Sequence, residues 1–116
     1  MKDESRQQIE VMAQALRVAL ALARPDVDLT YKPMFGGAGF WVDGKIFAAW
    51  LGGTTLSLKL PPERRQALLA AGGSVQSYFK EYVNVPPHYQ NEPHLMADDV
   101  AASVDYVLRL KKLRKQ

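Results

Sequence analysis

Near the N-terminus, apolar positions recur at three- and four-residue steps. Ile9, Met12, Ala13, Leu16, Ala19, Leu20 and Ala23 fall on one stripe, the period of an amphipathic helix with a single buried face. The spacing predicts a helix over residues 5–23. Ser5 with Gln8 fits a capping box at its start. Arg24-Pro25 ends it, because the residue before a proline disfavours helical geometry. The pattern then changes period. Leu29–Phe35 reads as a first strand, placed at an edge by Pro33, which cannot donate to a ladder. Phe40–Val42 reads as a short second strand, Ile46–Leu51 as a third and Thr54–Leu60 as a fourth. Asp43-Gly44 and Gly52-Gly53 read as two-residue hairpin turns, a type that needs positive φ at both central residues. In the fourth strand Leu56, Leu58 and Leu60 share one face. Ser57 and Lys59 share the other, which is expected to meet solvent. Strands two to four thus form an antiparallel meander.

Pro61-Pro62-Glu63 opens a second helix, anchored by Leu68 and Leu69 and stopped by Gly72-Gly73, with proline in the first turn and glycine past the end. Residues 75–85 are rich in Val, Tyr and Phe. They read either as one bent strand or as a poor hairpin, since Lys80-Glu81 is a weak turn pair, and both alternatives stay open. Pro86 to Pro93 reads as a loop. The last helix begins near Ala97 or Asp98 and runs to about Lys112. Val100, Val104, Val107 and Leu108 form its buried stripe, and Asp98 and Asp99 lie at its positive N-terminal end. The order is helix, three or four strands, helix, one or two strands, helix. Segregated helices on an antiparallel meander imply a two-layer α+β fold.

Composition narrows the function classes. A chain of 116 residues is expected to form one domain, residues 1–116. It has no cysteine, which excludes disulfides, thiolate metal sites and thiol nucleophiles. No apolar run approaches the ~20 residues that cross a bilayer, so no membrane partner and a cytoplasmic location are expected. The net charge of +3 is local. Arg109, Lys111, Lys112, Arg114 and Lys115 supply 5 of the 15 basic residues, and the 12 acidic residues outnumber the rest. Residues 109–116 therefore read as a basic C-terminal tail. Its cations complement the helix dipole or offer contacts to phosphates.

Candidate chemistry is sparse. Gly36-Gly37-Ala38-Gly39 would cradle a phosphate only if it led from a strand into a helix N-terminus. It leads into another strand and no Gly-Lys-Ser/Thr follows, so it reads as a kinked, closely packed β-connection. His88 and His94 are the only imidazoles. Even with Glu92 between them they fall short of the three or four ligands of a zinc site. Ser57, Ser74, Ser77 and Ser103 lack a nucleophile-elbow motif. No catalytic residue, cofactor or metal is assigned. Trp41 and Trp50 would form a base-stacking platform only with cations interleaved. Lys45 and Lys59 alone stand nearby in the strands, and packing in a core or subunit interface is the favoured reading.

Met34-Phe35-Gly36-Gly37-x-Gly39, followed by Asp43-Gly44-Lys45-x-Phe47, resembles the N-terminal domain of the TfoX/Sxy competence regulators. The match continues through Leu56-x-Leu58-Lys59, Ala70-Ala71-Gly72-Gly73 and Tyr82-Val83-x-Val85-Pro86. It departs from that pattern at Pro87-His88-Tyr89-Gln90-Asn91, which adds residues before the last helix. The resemblance implies a small α+β domain, no catalytic residues, and a role linked to transcription of DNA-uptake genes. It also implies a single-domain member, lacking the helical second domain of the full regulators.

Three functional expectations follow. The first is a non-enzymatic regulatory module that works by protein contact, as a homodimer or with a protein partner. The second is nucleic-acid binding through Arg109, Lys111, Lys112, Arg114 and Lys115, with Lys2, Arg6 or Arg17 nearby. The third is a small-ligand or enzyme site around Tyr82, His88, Tyr89 and His94.

Overall fold

A computed structural model describes residues 3–34, 36–51, 55–76 and 79–115, with side chains between Arg6 and Leu110. Among these residues, three α-helices lie against a six-stranded antiparallel sheet. The chain runs α1 (Asp3–Ala23), β1 (Leu29–Met34), β2 (Gly37–Val42), β3 (Lys45–Trp50), β4 (Leu56–Lys59), α2 (Pro62–Ala70), β5 (Ser74–Val75), β6 (Tyr82–Asn84) and α3 (Ala97–Lys115). The sheet order is β1-β2-β3-β4-β6-β5. This is the expected two-layer α+β arrangement, with β1 and its Pro33 at the edge.

Cross-strand register sorts the side chains. Ala38 opposes Trp50, Phe40 opposes Ala48, and Ala48 and Trp50 oppose Leu58 and Leu56. Directly opposed residues point to the same side. That side carries the core, continued by Val83 and by Met12, Leu16 and Leu20 of α1 and Val100, Val104 and Val107 of α3. The opposite face carries Lys32, Gly39, Trp41, Ile46, Ala49, Ser57 and Asn84.

The β2–β3 pairing shifts by one residue between Phe40 and Trp41, so Phe47 is an extra residue on β3. A bulge of this kind re-aims side chains and increases twist. Phe47 is fully buried, and the buried Ser103 hydroxyl of α3 donates to its carbonyl at 2.8 Å. One hydrogen bond therefore fixes the last helix to the bulge.

The structure corrects several expectations. The first helix begins at Asp3, so Ser5 sits inside it rather than at its cap. Strand β2 starts at Gly37, earlier than Phe40, and takes Gly37 and Gly39 into the ladder. Ser57 is only 1% exposed and does not face solvent. Residues 75–85 resolve into a hairpin whose second arm, β6, inserts between β4 and β5. The Pro86–Pro93 stretch winds into 3₁₀ turns at Pro87–Asn91 and Pro93–Met96. The last helix continues to Lys115. Phe35 and the Gly52-Gly53 turn with Thr54 lie outside the described residues, as does Lys2.

Candidate functional site

The glycine-rich block and the Asp43-Gly44 turn build one surface between them. Asp43 and Gly44 have φ of 49° and 73°, the positive pair of a tight hairpin turn. Gly37 and Gly39 answer a different demand, which is close approach. A Cβ on Gly37 would stand 1.7 Å from the Trp50 carbonyl oxygen. A Cβ on Gly39 would stand 2.5 Å from Cη2 of Trp41. The indole therefore lies down on the sheet where Gly39 leaves room for it.

Trp41 is half-buried and is shared by two adjoining cavities. One, of about 240 Å³, is bounded by Trp41, Gly44, Lys45, Ile46 and Lys59 with Val107 and Leu110 of α3. The other, of about 320 Å³, is bounded by Thr30, Tyr31, Lys32, Trp41 and Gly44. Together they make an open groove across the turn end of β1–β3. The Lys32 ammonium sits 5.5 Å from the Trp41 ring centroid, a contact worth ~0.5–1 kcal/mol at an exposed site. Arg109 is exposed on the α3 turn that carries Leu110.

The acids near this groove are partly engaged. Lys59 lies 3.6 Å from Glu81. Glu81 also accepts a hydrogen bond from Tyr106 at 2.7 Å. That bond, followed by the charges of Lys59 and Arg65, holds the Glu81 carboxyl below the usual glutamate range, against the opposing effect of burial. Lys59 is thus committed to a carboxylate that stays ionised, whereas Lys32 and Lys45 have no carboxylate within salt-bridge distance among the described residues.

Two other surfaces stand out. Helix α1 buries one stripe and leaves a second apolar one open: Val11, Val18 and Leu22 are 50%, 39% and 61% exposed. Glu10 and Arg17 flank it at heptad spacing, and both touch Tyr31. Its hydroxyl donates to Glu10 at 2.9 Å, and the Arg17 guanidinium lies 5.6 Å from its ring. On the helix-free face of the sheet, Ser57 donates to Asn84 at 2.5 Å and Gln76 donates to Ser57 at 3.1 Å. Asn84 donates onward to Ser74 at 3.1 Å. This chain of bonds ties β4, β6 and β5 together, and its members satisfy one another.

The residues singled out from sequence are distributed unevenly. Gly44 and Lys45 of the motif border the groove and Gly39 lies under its indole, while Gly37 admits the Trp50 backbone, Asp43 and Gly36 are exposed and Phe47 is core. Of the basic tail, Arg109 is exposed and precedes Leu110, which borders the groove; Lys111, Lys112, Arg114 and Lys115 are helical, and their side chains lie outside the described ones. Tyr82, His88, Tyr89 and His94 do not share a site. Tyr82 borders a 490 Å³ cleft with α2 and β5, and burial raises its hydroxyl to about 12. His88 packs edge-on against Tyr89, 5.0 Å between ring centroids, and both imidazoles are exposed. No group of three His, Asp or Glu residues placed to hold a metal occurs among the described residues, and no helix described is long and apolar enough to cross a membrane.

Sequence reasoning missed Lys32. It lies on the strand that precedes Trp41, where it opposes Gly39, the residue on which the indole rests. The alternation of β1 was the available signal. The family model of the TfoX N-terminal domain matches residues 22–107. No curated protein and no solved structure is significantly similar to the chain.

Proposed function

The chain belongs to the TfoX N-terminal domain family, and from that premise we propose that it is a non-enzymatic regulatory module, of the competence-regulator kind, that acts by docking onto protein. Its first partner is a second copy of itself. The observation that carries this reading is the exposed stripe of Val11, Val18 and Leu22 on a helix whose other face is wholly committed to the core.

Charge supports the choice of partner. Two α1 helices packed antiparallel about a two-fold axis bring the same flank of each together. Glu10 of one copy then meets Arg17 of the other, twice over. Helix α1 has 21 residues and so spans about 30 Å, enough to seed an interface.

Light scattering and sedimentation test this reading. The wild-type chain is expected to run as a dimer, and Val18→Glu or Leu22→Glu as a folded monomer, since both positions are already solvated. Glu10→Arg paired with Arg17→Glu restores the dimer that either change alone weakens. A monodisperse wild-type monomer across the accessible concentration range would refute it.

A further inference from the structure

We propose that the groove through Trp41 binds an unpaired nucleic-acid strand, one base stacking on the indole while Lys32, Lys45 and Arg109 neutralise the flanking phosphates. This does not depend on the α1 dimer.

Three observations lead there. The first is shape. Two cavities of about 240 and 320 Å³ share Trp41 and Gly44. Each lies at or below the small end of enclosed ligand pockets, ~300–1,000 Å³, yet together they form an open track with a central aromatic. A track suits a chain molecule that crosses it better than a cofactor held inside it. The second is charge. Lys32 borders one cavity, with its ammonium over the Trp41 ring, and Lys45 borders the other, while Glu81 is engaged by Lys59 and Tyr106. The third is the apolar surface that the half-buried Trp41, Ile46 and Leu110 contribute to the lining. Phosphate alone gains nothing from it, whereas a base does. Stacking requires a free base face, which a duplex conceals, so the strand is single. Lys32 presently occupies the ring, and a base entering there releases its ammonium toward the adjacent phosphate.

The test uses the full chain with a fluorescein-labelled oligothymidylate, read by anisotropy over a salt series and by tryptophan emission. Trp50 is 6% exposed, so base-dependent quenching reports Trp41. Engagement of three phosphates predicts a slope of log affinity on log salt of about −2. Trp41→Ala is expected to weaken binding roughly 5- to 150-fold and to abolish the quench, with Trp41→Phe retaining most of the affinity. Lys32→Glu at an exposed position and Lys45→Glu at a half-buried one are expected to lower both affinity and slope. They keep the proposal testable if Trp41→Ala fails to fold. The proposal is overturned by any of four results: no saturable binding at low salt, equal affinity for a duplex of the same sequence, affinity unchanged by loss of the indole, or displacement of the strand by poly-glutamate at equal charge.

Discussion

The claim that Gly39 exists to seat Trp41, whereas Gly37 exists to admit the backbone of β3, can be separated by substituting alanine at each. At Gly37 the new methyl would lie 1.7 Å from the Trp50 carbonyl oxygen and 2.7 Å from its carbon. Backbone in a ladder cannot yield without parting β2 from β3, so the cost is expected at the upper end of overpacking penalties or beyond, ~3 kcal/mol or more. At Gly39 the methyl meets Cη2 and Cζ3 of Trp41 at 2.5 and 2.8 Å, and Cδ1 of Ile46 at 3.1 Å. These are ends of side chains at a half-open site, and the ring can lift by about 1 Å. Overpacking there costs ~1–2 kcal/mol, offset by ~0.4–1 kcal/mol because alanine stiffens the unfolded chain. A chain of this size loses about 3–6 °C in Tm per kcal/mol. Thermal unfolding should therefore show Gly37→Ala lower by about 10 °C or more and Gly39→Ala by only a few degrees. A double-mutant cycle isolates the cause. In a Trp41→Ala background, Gly39→Ala should become nearly neutral, while Gly37→Ala keeps its full cost. If Gly39→Ala costs the same with and without the indole, the seating argument is wrong.

Further outcomes follow from other contacts. Ser103→Ala removes the buried hydrogen bond to the Phe47 carbonyl and should lower stability by ~1–3 kcal/mol, read as a shift in urea midpoint without a change in slope. The acid range should show two opposing effects. Asp99 is raised above its usual value, chiefly by burial and despite Arg64 at 2.8 Å. Its folded form binds a proton more readily than its unfolded form, so stability falls as pH rises between the unfolded and folded values. Asp99→Asn removes that fall. Glu81 is lowered, first by the Tyr106 hydrogen bond. It contributes stability present above its unfolded value and lost as pH drops through its folded one, and Glu81→Gln flattens that loss. Chemical denaturation at stepped pH from neutrality into the acid range distinguishes the two variants by the sign of the change.

Much of this fold is legible from local chemistry. Asp43-Gly44 fixes the β2–β3 turn, the three- and four-residue steps of α1 fix its buried face, and Pro33 marks an edge. What stayed hidden depends on pairing between distant segments. Three residues, Tyr82 to Asn84, enter the sheet between β4 and β5, and no local pattern is long enough to announce that. Ser57 looks solvent-facing by alternation, yet Asn84 and Gln76 arrive from beyond α2 to satisfy and bury it. Val11, Val18 and Leu22 do not belong to the stripe that folds the helix, and their exposure shows only once that stripe is committed. The groove was half legible. Trp41, Lys45 and Ile46 sit close in sequence, whereas Lys32 and Lys59 join them from the neighbouring strands β1 and β4, and Leu110 through the path of α3.

The margins of the sheet bear on how the protein behaves when concentrated. A free strand edge invites other chains to extend it, the first step toward fibrils. Here one margin is β1, with Lys32 and Pro33 both exposed, a charge and a residue without an amide hydrogen. The other margin is β5, only two residues long. Neither offers a run of hydrogen-bonding positions to a passing strand. Native molecules can therefore crowd without their sheets fusing, and loss of solubility on heating should track unfolding rather than growth from the intact fold.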